Sequence, residues 1–304
     1  MLTTEFVREK ALQYGADLCG VADIALFDGD APQRNPKSIL PNAKCVVGFG
    51  FRVPRGLYDA MERKVQFMNY TSLGVKYMDE DFSEMFLLQM ARIFENEGYD
   101  ACLQRRVSNL KVAGDKTQNP EVRDTYELTL SSPVSEGKPA PEIIMDFDLA
   151  AQRCGLGCVS RMGKVLTPGF GPYVRFVFLV TDAPLQPDEP FTEQLCDGCG
   201  ACMEACPGGA INENGRDTWQ CSVYYRGAGK SNPLMREDFL RDDPEREDIL
   251  SGAKRFDAES AREIYPKLDF LPSRPTGYVP CLCGKACETA CMKHLEGRGI
   301  LCRK

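Results

Sequence analysis

Residues 196–207 read CDGCGACMEACP, which places Cys196, Cys199, Cys202 and Cys206 at gaps of two, two and three residues ahead of Pro207. Thiolates at that spacing are iron–sulfur ligands: the first three converge on one 4Fe–4S cube and the fourth reaches a neighbouring cluster. Gly198 and Gly200 permit the tight turn and leave backbone N–H groups free to bond cluster sulfide. Pro207 halts the helix after the fourth thiolate. A second group, Cys281, Cys283, Cys287 and Cys291 in PCLCGKACETACM, departs from that run, with gaps of one, three and three and Met292 in place of proline. Adding Cys221 gives nine candidate thiolates for the eight positions of two cubes. One is a bystander. Cys281 is the expected one, because Cys283 and Cys287 can serve one cluster while Cys291 completes the other.

The rest of the 15 cysteines read differently. Cys19, Cys45 and Cys102 are scattered and are expected as small core residues. Cys154 and Cys158 lie in a glycine-rich turn, and Cys302 in the tail. Zinc sites pair two CxxC units across a spacer and need only four ligands, which is not this pattern. Bunched cysteines in a chain without an export leader point to metal rather than disulfides.

Composition narrows the setting. A net charge of −7 and a pI near 5.1 argue against general nucleic-acid affinity, which needs clustered Lys and Arg. No apolar run approaches the roughly 20 residues that cross a bilayer. The opening MLTTEFVREKALQYGADLCG lacks a cationic start followed by an apolar stretch, and lacks twin arginines. The expected location is the cytoplasm, with no membrane partner.

The elements that must position the cysteines are mixed. Thr3 to about Tyr14 reads as an amphipathic helix, with Phe6, Val7, Leu12 and Tyr14 on or near one face. CVVGFGF, Cys45 to Phe51, reads as a buried strand. Asp81 to Glu97 is the clearest helix, with Phe82, Met85, Phe86, Met90, Ile93 and Phe94 at helical spacing and Gly98 ending it. Residues 103–142, with Lys111 and Lys116, look like surface loops. Met145 to Arg153 reads as a short helix, and Val174 to Thr181 as a strong strand. The charged segment from about 230 to 278 separates the two cysteine groups. Without a regular βαβ repeat, the class is α+β.

Two cubes alone need far fewer residues than the roughly 190 upstream of Cys196, so a second cofactor is expected there. Gly155, Gly157, Gly163, Gly169 and Gly171 fall within 17 residues, a density that lets backbone approach a bulky ligand. No G-x-G-x-x-G follows a strand and opens a helix, so this is not a dinucleotide fingerprint.

The segment GLG, SR-x-G, LTP-x-FGP-x-VR and VTDAPL, just ahead of the cysteine run, resembles the reductive dehalogenases and epoxyqueuosine reductases. ALQYGADLCGVA, ILPNAKCVVGFGF and a helix ending in GYDA extend the likeness, in order, over nearly the whole chain. The resemblance implies a nitroreductase-like α+β domain (1–188) holding cobalamin, followed by a ferredoxin-like double-cluster domain (189–304). It implies a base-off corrinoid with no protein histidine ligand, and His294 is the one histidine. It keeps Cys221 over Cys281, as the isolated cysteine that joins the second cluster. It places Gly155, Gly157 and Gly163 against the cofactor and makes Tyr70, with Arg175 as a neighbouring cation, the catalytic pair. Partners so implied are an external low-potential donor of ferredoxin or flavodoxin type and a small-molecule substrate in preference to tRNA, and a homodimer is compatible with it.

The chain also departs from the family. Epoxyqueuosine reductases carry an Asp-x-x-Pro-type proton donor; in KPAPEIIMDFD no Asp falls in register, and Glu142 is the nearest carboxylate. Their C-terminal helical repeats are not found in the 13 residues after Cys291. The expected function is therefore a cobalamin-dependent reductase with its own substrate. The alternatives are a corrinoid-reducing protein serving another enzyme, epoxyqueuosine reduction on tRNA, and a flavin-linked electron-transfer protein.

Overall fold

The computed structural model describes residues 2–105, 133, 135–139, 141, 143–271 and 278–301. Lys111, Lys116, Glu142, Cys302 and most of the expected loop region lie outside them. The chain opens with helix α1 (Thr4–Gln13), capped by the Thr3 hydroxyl accepting from Phe6 N. Strands β1 (Leu18–Asp23) and β2 (Cys45–Arg52) follow, then helix α2 (Arg55–Glu62), a wide π-helical segment (Tyr70–Phe82), helix α3 (Ser83–Asn96) and strand β3 (Ala101–Gln104). Beyond the undescribed stretch come helix α4 (Phe147–Arg153), the short pair β4 (Cys158–Val159) and β5 (Val165–Leu166), and strand β6 (Val174–Thr181).

Strands β1, β2, β6 and β3, in that spatial order, form one antiparallel sheet. Both of its faces are covered, which is why VRFVFLVT is apolar without alternation and buried at every position. Helices α1 and α3 cover one face through Val7, Ala11, Phe86, Leu87, Met90 and Phe94. Helix α4 covers the other, with Ala150 and Ala151 against Val46 and Phe178.

Three expectations change here. The buried stripe of α1 is Thr4, Val7 and Ala11, while Phe6, Leu12 and Tyr14 are exposed. On α3, Phe86, Leu87, Met90, Ala91 and Phe94 are buried and Met85 points to solvent. A helix this rich in apolar residues offers more than one stripe, and the sheet selects among them. The expected helix from Asp81 also continues an earlier one, because the 13 residues Tyr70–Phe82, ahead of α3 and including Asp81, wind with π geometry. Finally, the first two residues of the 103–142 stretch belong to the edge strand β3 rather than to a loop.

The C-terminal part carries helix α5 (Ala201–Glu204), the pair β7 (Ile211–Asn212) and β8 (Gly215–Arg216), and helices α6 (Thr218–Tyr225), α7 (Arg246–Ser251), α8 (Ala258–Ile264) and α9 (Ala286–Gly297). The segment between the cysteine groups has its own small core of Tyr224, Phe239, Ile249, Phe256 and Ile264. A further apolar cluster joins the two parts, with Tyr58, Tyr70, Leu166 and Tyr173 packed among Leu195, Ile211, Leu282, Met292 and Leu295. The architecture is mixed helix and sheet, and no helix among the described residues is long and apolar enough to cross a membrane.

Candidate iron–sulfur site

Gly198 and Gly200 both sit at positive φ, +75° and +83°, so the loop after Cys196 turns sharply before α5 begins. The other cysteine group turns on Gly284 and Lys285, at φ +64° and +52°, just before α9. Lysine is rare in that region; here it swings Cys283 and Cys287 toward a common point.

The thiols then sort into two sets of four. Cys196, Cys199, Cys202 and Cys291 line one cavity. Cys206, Cys221, Cys283 and Cys287 line a second. Cys202 lies within α5 and Cys206 just beyond it, and Cys287 and Cys291 are four apart on α9, so each segment supplies one thiol to each cavity. Cys281 lines neither. It is fully buried, its N–H donates to Thr71 Oγ1 (3.1 Å), and its sulfur lies 3.7 Å from that of Cys283. Sets of four match the ligand need of a 4Fe–4S cube. N–H donors for sulfur are also present: Ala210 N donates to Cys206 Sγ (3.3 Å), and the buried Arg216 Nε has no partner among the described residues. Cys19, Cys45, Cys102, Cys154 and Cys158 stand apart from both linings; Cys45 and Cys154 donate to backbone oxygens in the core.

The surroundings of the two cavities differ. At the first, Cys199 is exposed and the Asp197 carboxylate binds His294 Nε2 (2.9 Å) and Arg298 (3.2 Å). The hydrogen bond from His294 holds the Asp197 carboxyl below its usual range. His294, the sole histidine, is thus engaged at the first cysteine run. The second cavity is walled by charge, with Lys164 and Glu288 buried and Arg216 and Lys285 half-buried. Glu288 accepts from Tyr58 OH (2.9 Å) and Lys285 Nζ (2.9 Å), with Lys164 Nζ 3.8 Å away. Burial alone pushes the Glu288 carboxyl up, but the two ammonium groups and the tyrosine bring it down to about 2. Burial pushes the Cys221 and Cys287 thiols up.

Tyr70, at the start of the π segment, is fully buried. Its ring meets Tyr58 edge-on (5.1 Å between centroids), and Lys285 Nζ stands 5.9 Å from its centroid. Burial raises its phenol pKa, partly offset by Lys285. Arg175 is also buried and grips Asp79 with both ends of its fork, Nε to Oδ1 at 2.8 Å and the second nitrogen to Oδ2. Gly155 and Gly157 pack against the chain itself: a Cβ would stand 2.8 Å from Glu189 O at the first and 2.2 Å from Leu166 O at the second. Their glycine is accounted for by backbone packing, and neither offers a ligand a cradle. Gly163 has more room, its nearest neighbour being the Arg216 guanidinium at 3.8 Å from a Cβ. Sequence pattern did not reveal Lys164, Arg216, Lys285 or Glu288. Charged residues read as solvated unless the fold buries them, and only the Cys-flanked position of Lys285 and Glu288 hinted at it.

A cleft of about 400 Å³ opens beside Cys283, walled by Met61, Phe67, Pro207 and Leu282, with Lys64 and Lys293 on its rim. Its size is that of a small-molecule site.

Residues 190–212 match the model of the 4Fe-4S binding domain, and with the thiol geometry this defines an iron–sulfur protein. The chain is 35% identical over 193 residues to an epoxyqueuosine reductase of Bacillus cereus, covering 63% of this chain and 42% of that protein. It is 40% identical over 83 residues to the tetrachloroethene reductive dehalogenase of Sulfurospirillum multivorans, covering 26% of this chain and 16% of that one. A solved epoxyqueuosine reductase with a tRNA stem loop superposes with a TM-score of 0.50 at 18% identity, covering 96% of this chain and 80% of that one, which shows the shared fold. These matches support kinship with the superfamily of reductive dehalogenases and epoxyqueuosine reductases, and the chain spans less than half the length of these two curated relatives.

Proposed function

We propose that this chain is a reductase that passes single electrons from two 4Fe–4S clusters to an acceptor at the second cluster. The observation that carries it is the division of eight thiols into two sets of four around adjoining walls. Cys196, Cys199, Cys202 and Cys291 hold the first cluster, and Cys206, Cys221, Cys283 and Cys287 the second. The clusters supply one-electron transfer. The first, at the surface beside exposed Cys199, takes electrons from an external ferredoxin or flavodoxin, and the cleft beside Cys283 receives the acceptor.

The superfamily supports a corrinoid as that acceptor, in a nitroreductase-like domain over 1–188, with the cluster domain over 189–304. The cleft beside Cys283 is smaller than a corrinoid with its amide arms, and of the three glycines only Gly163 leaves room for a neighbour. The corrinoid reading therefore rests on kinship, and iron and cobalt content test it. After anaerobic reconstitution with iron, sulfide and hydroxocobalamin, then desalting, we expect about eight irons and about one cobalt per chain. Eight irons without cobalt remove the corrinoid and leave an iron–sulfur electron carrier.

In this reading Tyr70 donates the proton, with Lys285 as the cation over its ring and Arg175 as a positioning residue committed to Asp79. Tyr70→Phe is expected to lower turnover by 10²–10⁴-fold, the usual contribution of a positioned acid, with both clusters retained. Full turnover removes the assignment. A small-molecule substrate fits the cleft. The 193-residue match to an epoxyqueuosine reductase favours a second reading, reduction of epoxyqueuosine in tRNA. Turnover of a modified stem loop with a low-potential reductant decides between them.

A further inference from the structure

Arg216 ends β8, a two-residue strand folded back so that Arg216 pairs with Ile211. Its side chain helps wall the cavity of Cys206, Cys221, Cys283 and Cys287. Among the described residues, Arg216 Nε is the one buried side-chain nitrogen or oxygen without a hydrogen-bond partner. A buried donor with no acceptor costs roughly 1–3 kcal/mol, and more on a charged group. Such a donor in a folded chain calls for an explanation.

Protein carboxylates do not supply one. Glu288 is held by Tyr58, Lys285 and Lys164, and Asp148, in the first turn of α4, does not accept from Arg216 Nε. Tyr224 OH is turned to Ile249 O (2.6 Å), and neither it nor Tyr225 accepts from Arg216 Nε; the other side-chain acceptors on the wall are the four cysteine sulfurs and Met162. The guanidinium lies along Gly163, where only hydrogen replaces a side chain, so its approach to the cavity is unobstructed from that side. Among the described residues, no unpartnered buried donor lines the first cavity. There Arg161 is already bonded to Gly198 O (3.4 Å) and paired with Glu213 (3.0 Å), and the Asp197 carboxylate adds negative charge.

We propose that Arg216 donates its Nε–H to sulfur of the second 4Fe–4S cluster and raises that cluster's reduction potential, making it the better electron acceptor of the two. Reduction adds an electron to a core already rich in thiolate charge. A fixed cation and an N–H donor stabilise the reduced form more than the oxidised one, and hydrogen bonds to sulfur, charge and burial are the levers that set such potentials. The consequence is direction: electrons entering at the exposed first site run downhill to the buried second site, next to the cleft. This rests on the reading that the second cavity holds a cluster.

The test compares wild type, Arg216→Gln and Arg216→Lys after anaerobic reconstitution, with iron counted and both potentials followed by EPR-monitored titration. Arg216→Gln is expected to lower the second cluster's one-electron reduction constant at least tenfold, which is 59 mV for one electron, and the first cluster's far less. Arg216→Lys keeps the charge and loses the Nε–H. It should retain part of the potential but lose the exchangeable-proton coupling that pulsed EPR detects at the reduced second cluster. If Arg216→Gln sheds iron, the lysine variant carries the measurement. Unchanged potentials at full iron content overturn the inference, as does an equal fall at both clusters. About four irons in wild type remove the second cluster, and the role of Arg216 with it.

Discussion

Cys221→Ser is expected to empty the second site and spare the first, taking iron from about eight to about four per chain, while Cys281→Ser leaves it at about eight. The two residues were rivals for one ligand position, and the geometry separates them. Cys221 sits on α6 with its thiol in the wall shared with Cys206, Cys283 and Cys287. Cys281 is enclosed by the joint core and tied to Thr71, two residues before a ligand it almost touches. That proximity is the risk to the prediction: a freed cluster edge could recruit Cys281. The double variant Cys221→Ser/Cys281→Ser covers it. If the Cys221 single variant keeps eight irons and the double keeps four, Cys281 is a reserve ligand. If Cys281→Ser alone drops to four, the assignment is reversed.

Why the cysteine arrangement suggested Cys281 as the bystander but only likeness gave Cys221 its place has a physical answer. The run Cys196 to Cys206 is local: its ligands are fixed by two glycine turns and a single helical turn, so spacing alone specifies their geometry. Cys221 reaches the cavity through the β7–β8 pair and α6, and no periodicity encodes that path. The same division runs through the fold. β2 and β6 were legible because strands covered on both faces are continuously apolar. The buried stripe of α1 was not, because Thr4 and Ala11 carry less hydrophobic signal than the exposed Phe6 and Leu12. The dense glycines after Cys154 suggested a ligand cradle. At Gly157 the close approach is real, but the partner is Leu166 backbone across the β4–β5 pair.

The charged wall of the second cavity was the least legible part. Lys164, Arg216 and Lys285 come from three distant segments; Lys164 and Lys285 share one buried carboxylate, Glu288, and Arg216 Nε has no partner among the described residues. Sequence gives each a default of solvent exposure, since isolated charges are almost never fully buried. On the proposed reading, a cavity that takes up electrons gives a reason to collect them. Net positive charge around a thiolate-rich centre favours its reduction, and a cluster sulfur there would give Arg216 Nε the acceptor it lacks among the described residues.

Arg175→Met is expected to destabilise the protein by about 3–5 kcal/mol, the cost of stranding a buried charge when its partner is removed. Arg175 lies on β6 at the register position of Phe51 and reaches back to Asp79 of the π segment, and both side chains are almost fully enclosed. The pair is the clasp between the sheet and the segment that carries Tyr70. Without the guanidinium, Asp79 is left ionised in apolar surroundings, or must take up a proton. Asp79→Leu/Arg175→Met removes both charges and should recover most of the loss, because apolar replacement of a buried pair is often neutral or better. Anaerobic urea titration followed by far-ultraviolet circular dichroism measures it. A loss below about 1 kcal/mol in the single variant would place the pair among weak, solvent-screened contacts. Combined with abolished turnover, it would move Arg175 from positioning residue to direct contact with substrate. A large loss that the double variant repairs, with turnover returning alongside stability, fixes its role as the strut that holds Tyr70 in place.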